Sequence, residues 1–368
     1  MIDGIKLSSS IDDFEKWKAQ TNLSFNTYID ISSGQVNTKN RGNKSITKHK
    51  CKWEHLDLCV TEVDYYSMNT KEYYLRINGS LHKNHFDGTN FQRFSWDDLQ
   101  KQLRHITQSL FLSPELTTIQ NIEIGVNLET EFKVSPFLNN NILCFKGKDF
   151  KKYRRDDNGN ELGLYSDFSQ YDIKMYDKGI QFKLPIELLR FEKRFRKMQP
   201  LKQYGISHLS DLFNREKIQN LKNILINSWK DVLIQDIDSL DNIKQHISDS
   251  EYQVLLEGSG RNFWGKSKLN NLRKSYFLRK KFSSLVDKYG QNYKLKILKL
   301  LEVEWENHFK DCTNLPCGEE SKLYNLTVKI NGNNLHLNDS VKVPAYCIPY
   351  PWDGLPIVNY NKKQLYAI

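Results

Sequence analysis

Residues 170–178 read Gln170-Tyr-Asp-Ile-Lys-Met-Tyr-Asp-Lys178. In an extended chain successive side chains alternate between faces, which places Asp172, Lys174, Tyr176 and Lys178 together and sets Ile173 and Met175 opposite. Two other segments carry the same period. From Ile122 to Glu129, Ile122, Ile124, Val126 and Leu128 alternate with Glu123, Asn127 and Glu129. From Ile186 to Arg196, Leu189, Phe191 and Phe195 lie on one side and Arg190, Glu192, Arg194 and Arg196 on the other. Further strands are expected at Leu56 to Val63 and Glu72 to Ile77. Ser95 with Asp98 three residues on begins a helix expected over about 96–112, with Leu99, Leu103, Ile106 and Leu110 at helical spacing. Strands returning around one long helix give an α+β class with a mainly antiparallel sheet packed on helices.

Beyond residue 205 the pattern turns helical up to about 310. A tail with a strand near Lys322 to Lys329 and prolines at 344, 349, 351 and 356 follows. The expected division is 1–200, 201–310 and 311–368. Ser32 to Lys50 and Lys146 to Asn160 read as polar loops.

The 368 residues hold 54 Lys and Arg against 44 Asp and Glu, a formal charge of +10 that permits a nucleic-acid partner. The aromatic content of 12% excludes a mainly disordered chain. No apolar run approaches the ~18 residues of a membrane span, and the first residues lack a signal-peptide core. The six cysteines form no C-x-x-C pair. These features lead us to expect a cytoplasmic protein with reduced thiols and no membrane partner. There is no G-x-x-x-x-G-K-[ST] phosphate loop, so any unwinding motor would be supplied by a host partner.

If the three alternating strands are neighbours, one face carries acids, a tyrosine and several cations. Metal-assisted attack on a phosphodiester needs that combination. Carboxylates hold a hard cation such as Mg²⁺ or Mn²⁺, cationic side chains neutralise charge, and a tyrosine can act as a covalent nucleophile. The same alternation also suits any sheet with one solvated face. Lys178, two residues from Tyr176, is expected to lower the phenol's pKa or hold the scissile phosphate. Tyr171 falls on the opposite face, and Tyr165 is a more distant reserve. His82 and His85 are expected in a loop, where one of them could complete a metal site.

The chain resembles the rolling-circle replication initiators of filamentous phages, the gene II protein family. The resemblance rests on Met1-Ile-Asp3, Ile122-Glu-Ile-Gly-Val126, Met175-Tyr-Asp-Lys178, Leu189-Arg-Phe-Glu-Lys-Arg194, Leu201 to Phe213 and Arg261-Asn-Phe-Trp264. It spans roughly residues 1–290 and implies a nicking and joining enzyme on a relaxase-like sheet. It implies Tyr176 as the nucleophile that stays attached to a 5′ phosphate, with Glu123 and Glu192 as the acids that bind Mg²⁺ or Mn²⁺. It further implies DNA, a host helicase and the host replication machinery as partners. The family's pattern places Asp where one of these acids is Glu, and no His-hydrophobic-His pair is present.

DNA contacts are expected at Lys174, Arg190 and Arg194, and at Lys151, Lys152, Arg154 and Arg155 in the basic loop. They are also expected at Arg261, Lys266, Lys268, Arg273 and Lys274, within a stretch of eight cations in 21 residues that holds no acid. The competing readings are a non-catalytic DNA- or RNA-binding protein and a mobilisation relaxase of another element.

Overall fold

The three alternating segments are adjacent strands of one sheet, and the chain around them supplies eight more. The computed structural model describes residues 1–27, 38–155, 159, 161–260, 262–310, 328–330 and 333–335. In chain order the first strands and helices are β1 (Ile2–Ile11), α1 (Phe14–Thr21), β2 (Asn26–Thr27), β3 (Lys39–Arg41), β4 (Lys44–Trp53), β5 (Leu56–Tyr65), β6 (Thr70–Ser80), α2 (Leu81–His85), α3 (Trp96–Ser109) and β7 (Thr118–Glu129). There follow α4 (Val134–Asn140), β8 (Ile142–Phe145), β9 (Lys148–Asp149), β10 (Lys151–Arg155), β11 (Glu161–Asp167), β12 (Tyr171–Asp177), α5 (Lys178–Phe182) and β13 (Leu188–Phe195). The helical region holds α6 (Arg215–Asn220), α7 (Lys222–Lys230), β14 (Val232–Ile234), α8 (Leu240–Ile243), α9 (Asp249–Gly258), α10 (Phe263–Asn270), α11 (Leu272–Tyr289) and α12 (Tyr293–Asn307).

The main sheet has 11 strands in the order β10-β11-β12-β13-β7-β1-β6-β5-β4-β2, with β3 on β4. Every pairing in it is antiparallel. One face is apolar. Ile122, Ile124 and Val126 of β7, Phe191 of β13 and Met175 of β12 join the core residues of α3 and α12. Helix α3 begins at the expected capping box, in which Ser95 accepts from the Asp98 amide and Asp98 accepts from the Ser95 amide. Its Leu99, Leu103 and Ile106 are buried. Trp229 of α7 packs edge-on against Phe191 with ring centres 5.5 Å apart, and its indole donates to the Lys294 carbonyl, tying α7 to the start of α12.

Met1–Lys310 is one compact unit and Asp311–Ile368 a second. Within the first unit the helices beyond residue 200 complete the core of the sheet. In the second unit the described residues form β15 (Val328–Ile330) paired antiparallel with β16 (Asn333–Leu335). The remainder of the expected tail strand and the four prolines lie outside the described residues.

Much of two expected loops is strand, while residues 32–37, 156–158 and 160 of them lie outside the described residues. Lys44 to Lys50 belongs to β4, and Lys148 to Arg155 forms β9 and β10, with β10 on the edge of the main sheet. Alternating Lys residues supply no apolar face, so the period was invisible where the neighbouring strand supplies the register. The region 205–310 is not wholly helical. Val232–Ile234 pairs with β8, and that small sheet supports a second core of Leu143, Leu233, Trp264 and Phe282.

Candidate active site

The polar face of β7, β13 and β12 carries the candidate site, and the register fixes its composition. Glu192 pairs with Lys174 on one side and Gly125 on the other; Arg190 pairs with Tyr176 and Asn127; Arg194 pairs with Asp172 and Glu123. Gly125 is required by this approach, since a Cβ there would lie 2.6 Å from the Glu192 Cβ. Gly163 has the same role beneath Tyr176, where a Cβ would meet the Tyr176 Cβ at 2.4 Å.

A fourth strand contributes through an irregularity. In the β1–β7 pairing Ile2 faces Ile124 and Ile5 faces Ile122, so Asp3 and Gly4 together oppose Glu123. Such a bulge re-aims a side chain, and Asp3 joins the acids. Ligand oxygens of Asp3, Glu123 and Glu192 all lie within 4.8 Å of one another.

Cations already hold these acids. Arg190, only 1% exposed, donates from Nη2 to Asp3 Oδ2 at 3.0 Å, from Nε to Glu192 Oε2 at 3.0 Å and from Nη1 to Asn127 Oδ1 at 3.2 Å. Asp3 also accepts from the Ser80 hydroxyl and from the Asn90 amide. Lys174 Nζ bridges Glu123 Oε2 at 2.7 Å and Glu192 Oε1 at 2.5 Å. The Tyr176 hydroxyl donates to Glu192 Oε2 at 3.3 Å, and the Tyr153 ring lies over that of Tyr176 with centres 5.5 Å apart. Tyr176 is 6% exposed, its ring buried and its hydroxyl directed at an acid.

The electrostatics split the acids. Burial pushes the Glu123 carboxyl up, the neighbouring Glu192 charge adds to it, and its pKa reaches about 7 despite Lys174. Burial acts on Glu192 in the same sense, but Lys174 and Arg190 outweigh it and leave that carboxyl below its usual value. Asp3 is likewise held well down, because Arg190 and other cations outweigh its burial. Burial and the Glu192 charge raise the Tyr176 phenol well above 10. At neutral pH it is a protonated donor.

Several expectations are corrected. Lys178 stands one residue past the end of β12, and its ammonium reaches the Asn90 carbonyl, whose side-chain amide donates to Asp3. Asp177 caps α5 by accepting from the Ile180 amide, so the strand ends there and Lys178 opens the helix. The lysine is fully buried, donates to the Asn90 carbonyl, and has its pKa driven well down by burial and by Arg190. The phenol's pKa is raised, chiefly by burial and the Glu192 charge, with Arg190 acting against the rise. Lys174 and Arg190, expected to contact DNA, are buried counter-ions of the acids. Arg194 is partly exposed and paired with Asp172 at 2.5 Å. His82 and His85 sit on α2, not in a loop. His85 pairs with Asp98 at 3.2 Å; His82 is buried, stacked on Phe94, with no hydrogen-bond partner at Nε2 among the described residues.

Tyr171 does face away from the acids and stacks on Phe168. In the basic segments Lys151 pairs with Asp167 at 3.2 Å, and Lys152 pairs with Glu161 and donates to Asn139. Arg154 and Arg155 belong to β10, and Arg261 lies outside the described residues. Lys266 and Lys268 are on α10, where Lys268 donates to the Lys146 carbonyl; Arg273 and Lys274 are exposed at the start of α11. Trp264 packs inward, whereas Tyr276 and Phe277 are exposed beside these cations.

Asp3 is the member that sequence reasoning missed as a ligand. It stood in the quoted Met1-Ile-Asp3, but only the bulge assigns it a place. Three carboxylates supply the hard oxygen donors that Mg²⁺ or Mn²⁺ takes. Burial first and the Glu192 charge second raise the Glu123 pKa, and a further positive charge would offset both, so the donor set fits a divalent ion.

No helix among the described residues is long and apolar enough to cross a membrane. No protein-family model and no curated protein matches the chain. Among solved structures it is similar to a rolling circle replication initiator protein from Geobacillus stearothermophilus. That similarity is at 12% identity over 76% of this chain and 96% of that chain, with a TM-score of 0.32, too low to carry an argument.

Proposed function

We propose that the chain is a metal-dependent DNA-nicking and religating enzyme that starts rolling-circle replication of a phage-type element through a covalent 5′-phosphotyrosine at Tyr176. The observation that carries this reading is the meeting of Tyr176 with Asp3, Glu123 and Glu192 on one sheet face. The acids would hold Mg²⁺ or Mn²⁺, which supplies charge neutralisation at the scissile phosphate when bound. Tyr176 Oη attacks phosphorus, and a P–Oη bond replaces the P–O3′ bond. The phenol proton passes to Glu192 Oε2 and on to the leaving 3′ oxygen, which becomes the hydroxyl that primes synthesis. Arg190 fixes the Glu192 oxygen that accepts from the phenol. A second transfer reverses these steps and closes the circle. Exposed Arg273 and Lys274 would contact duplex phosphates, and a host helicase in the host cytoplasm would unwind ahead of the primer.

The test uses a supercoiled circle of the element that encodes the chain, incubated with protein and Mn²⁺. Open circles that disappear in Tyr176→Phe and in Glu192→Gln support the reading. Retained DNA binding with no metal-dependent nicking would make it a binding protein instead.

A further inference from the structure

The face that carries the acids does not end at β7. Cross-strand partners share a face, so the register extends it over β1, β6, β5 and β4. One row runs Lys52–Asp57–Asn78–Lys6–Asn121. Asn121 is two residues before Glu123 on the same side of β7. The next row runs Lys50–Cys59–Arg76–Ser8–Thr118. The residues between them, Leu58, Ile77 and Leu7, are buried on the opposite face, which fits the alternation. Lys50, Lys52, Asp57, Arg76 and Asn78 are exposed. Where the rows reach β4 they floor a cavity of 470 Å³ rimmed by Asn26 and Thr27.

Four cations stand in these rows against the single acid Asp57. Four strand steps of ~4.8 Å separate β4 from β7, so the rows extend roughly 19 Å from the acid cluster. The rows are one same-face repeat apart, ~7 Å, far narrower than a duplex. Within the cluster the Glu123 side chain, on the strand where the rows end, keeps 13% of its surface exposed.

We propose that this face is a track for single-stranded DNA, in which Lys6, Arg76, Lys50 and Lys52 hold the phosphates of the strand that continues from the cleaved one. The proposal rests on the nicking reading and assigns the part of the substrate that lies beyond the scissile bond.

Cys59 lies in the floor of the track, half-buried, whereas Cys51 packs against the core from the other side of the sheet. The experiment measures alkylation of each thiol by N-ethylmaleimide, peptide by peptide, in the metal-free full chain. A mixed-sequence single-stranded 30-mer is added at a concentration that saturates its fluorescence anisotropy. Cys59 should be protected several-fold and Cys51 unchanged. The Lys52→Glu, Arg76→Glu double variant should bind the oligonucleotide at least tenfold more weakly, with a salt slope lower by ~0.7 per lost contact. An oligonucleotide that saturates without protecting Cys59, one that does not bind, or protection by duplex alone would overturn the track. The Tyr176 adduct separates the two claims. An adduct without Cys59 protection removes only the track, and protection without an adduct removes only the nicking reading.

Discussion

The sheet face has two unlike ends. At β7, β13 and β12 the charges of the acid cluster are largely withdrawn from water and matched: Arg190 to Asp3 and Glu192, Lys174 to Glu123 and Glu192. At β4, β5 and β6 the same alternation leaves Lys52, Arg76 and Asp57 in solvent. The difference is one of dielectric. Charges removed from water interact strongly and are held in place before any substrate arrives, which suits a group that must stabilise a developing charge. Charges left in water attract a polyanion at a distance, are screened by salt, and fix little geometry. On the proposed reading one end serves chemistry and the other capture, and substitutions should separate them.

The largest expected effect is on the reaction. Tyr176→Phe removes the nucleophile and should lower nicking by ~10⁴-fold or more, measured as open circles per unit time. Its cost in stability should be only ~1 kcal/mol, since a single 3.3 Å hydrogen bond is lost. Next is Arg190→Met, which strands Asp3 and Glu192 without their shared partner. Urea unfolding should show a loss of ~3–5 kcal/mol, and a change below 1 kcal/mol would mean the acids do not need the guanidinium.

Lys174 occupies oxygens that an ion would share. Lys174→Met should therefore tighten Mn²⁺ binding by ~10-fold in calorimetry, and an unchanged affinity would show that ion and ammonium do not compete. The pH dependence sharpens the same point. Glu123 titrates at about 7 in the fold against an ordinary 4.5, so the folded state binds the extra proton between those values. Stability therefore falls as pH rises through that window, by at most ~3 kcal/mol, and Glu123→Gln should remove that part of the slope. At the small end, Lys151→Ala breaks an exposed pair with Asp167 and should change stability by ~0.5 kcal/mol or less.

The two ends also differ in how legible they were. The period of two in β7, β12 and β13 was readable because each strand sets Ile, Leu, Met or Phe against charges, and that contrast exists only where the other face is buried. Asp3 was hidden because its place depends on a bulge, the point at which periodicity fails. Lys178 falls one residue beyond the strand, past a capping aspartate that the period of two does not announce. β4 was unreadable for a different reason. Its Thr47-Lys-His-Lys-Cys-Lys52 pattern sets no run of apolar side chains against the lysines, and its face is assigned by pairing with β5 rather than by its own residues. Charge on the acid-bearing face was legible, but which cation meets which acid was not, because register is a property of two strands.

The most direct test is to map the covalent product. The full chain is incubated with Mn²⁺ and the circular DNA that encodes it, digested, and the peptides are weighed. The account predicts that the peptide holding Tyr176 carries a 5′-linked nucleotide and that no other tyrosine does. Metal-dependent cleavage with no modified peptide, or with the nucleotide on a different residue, would contradict it.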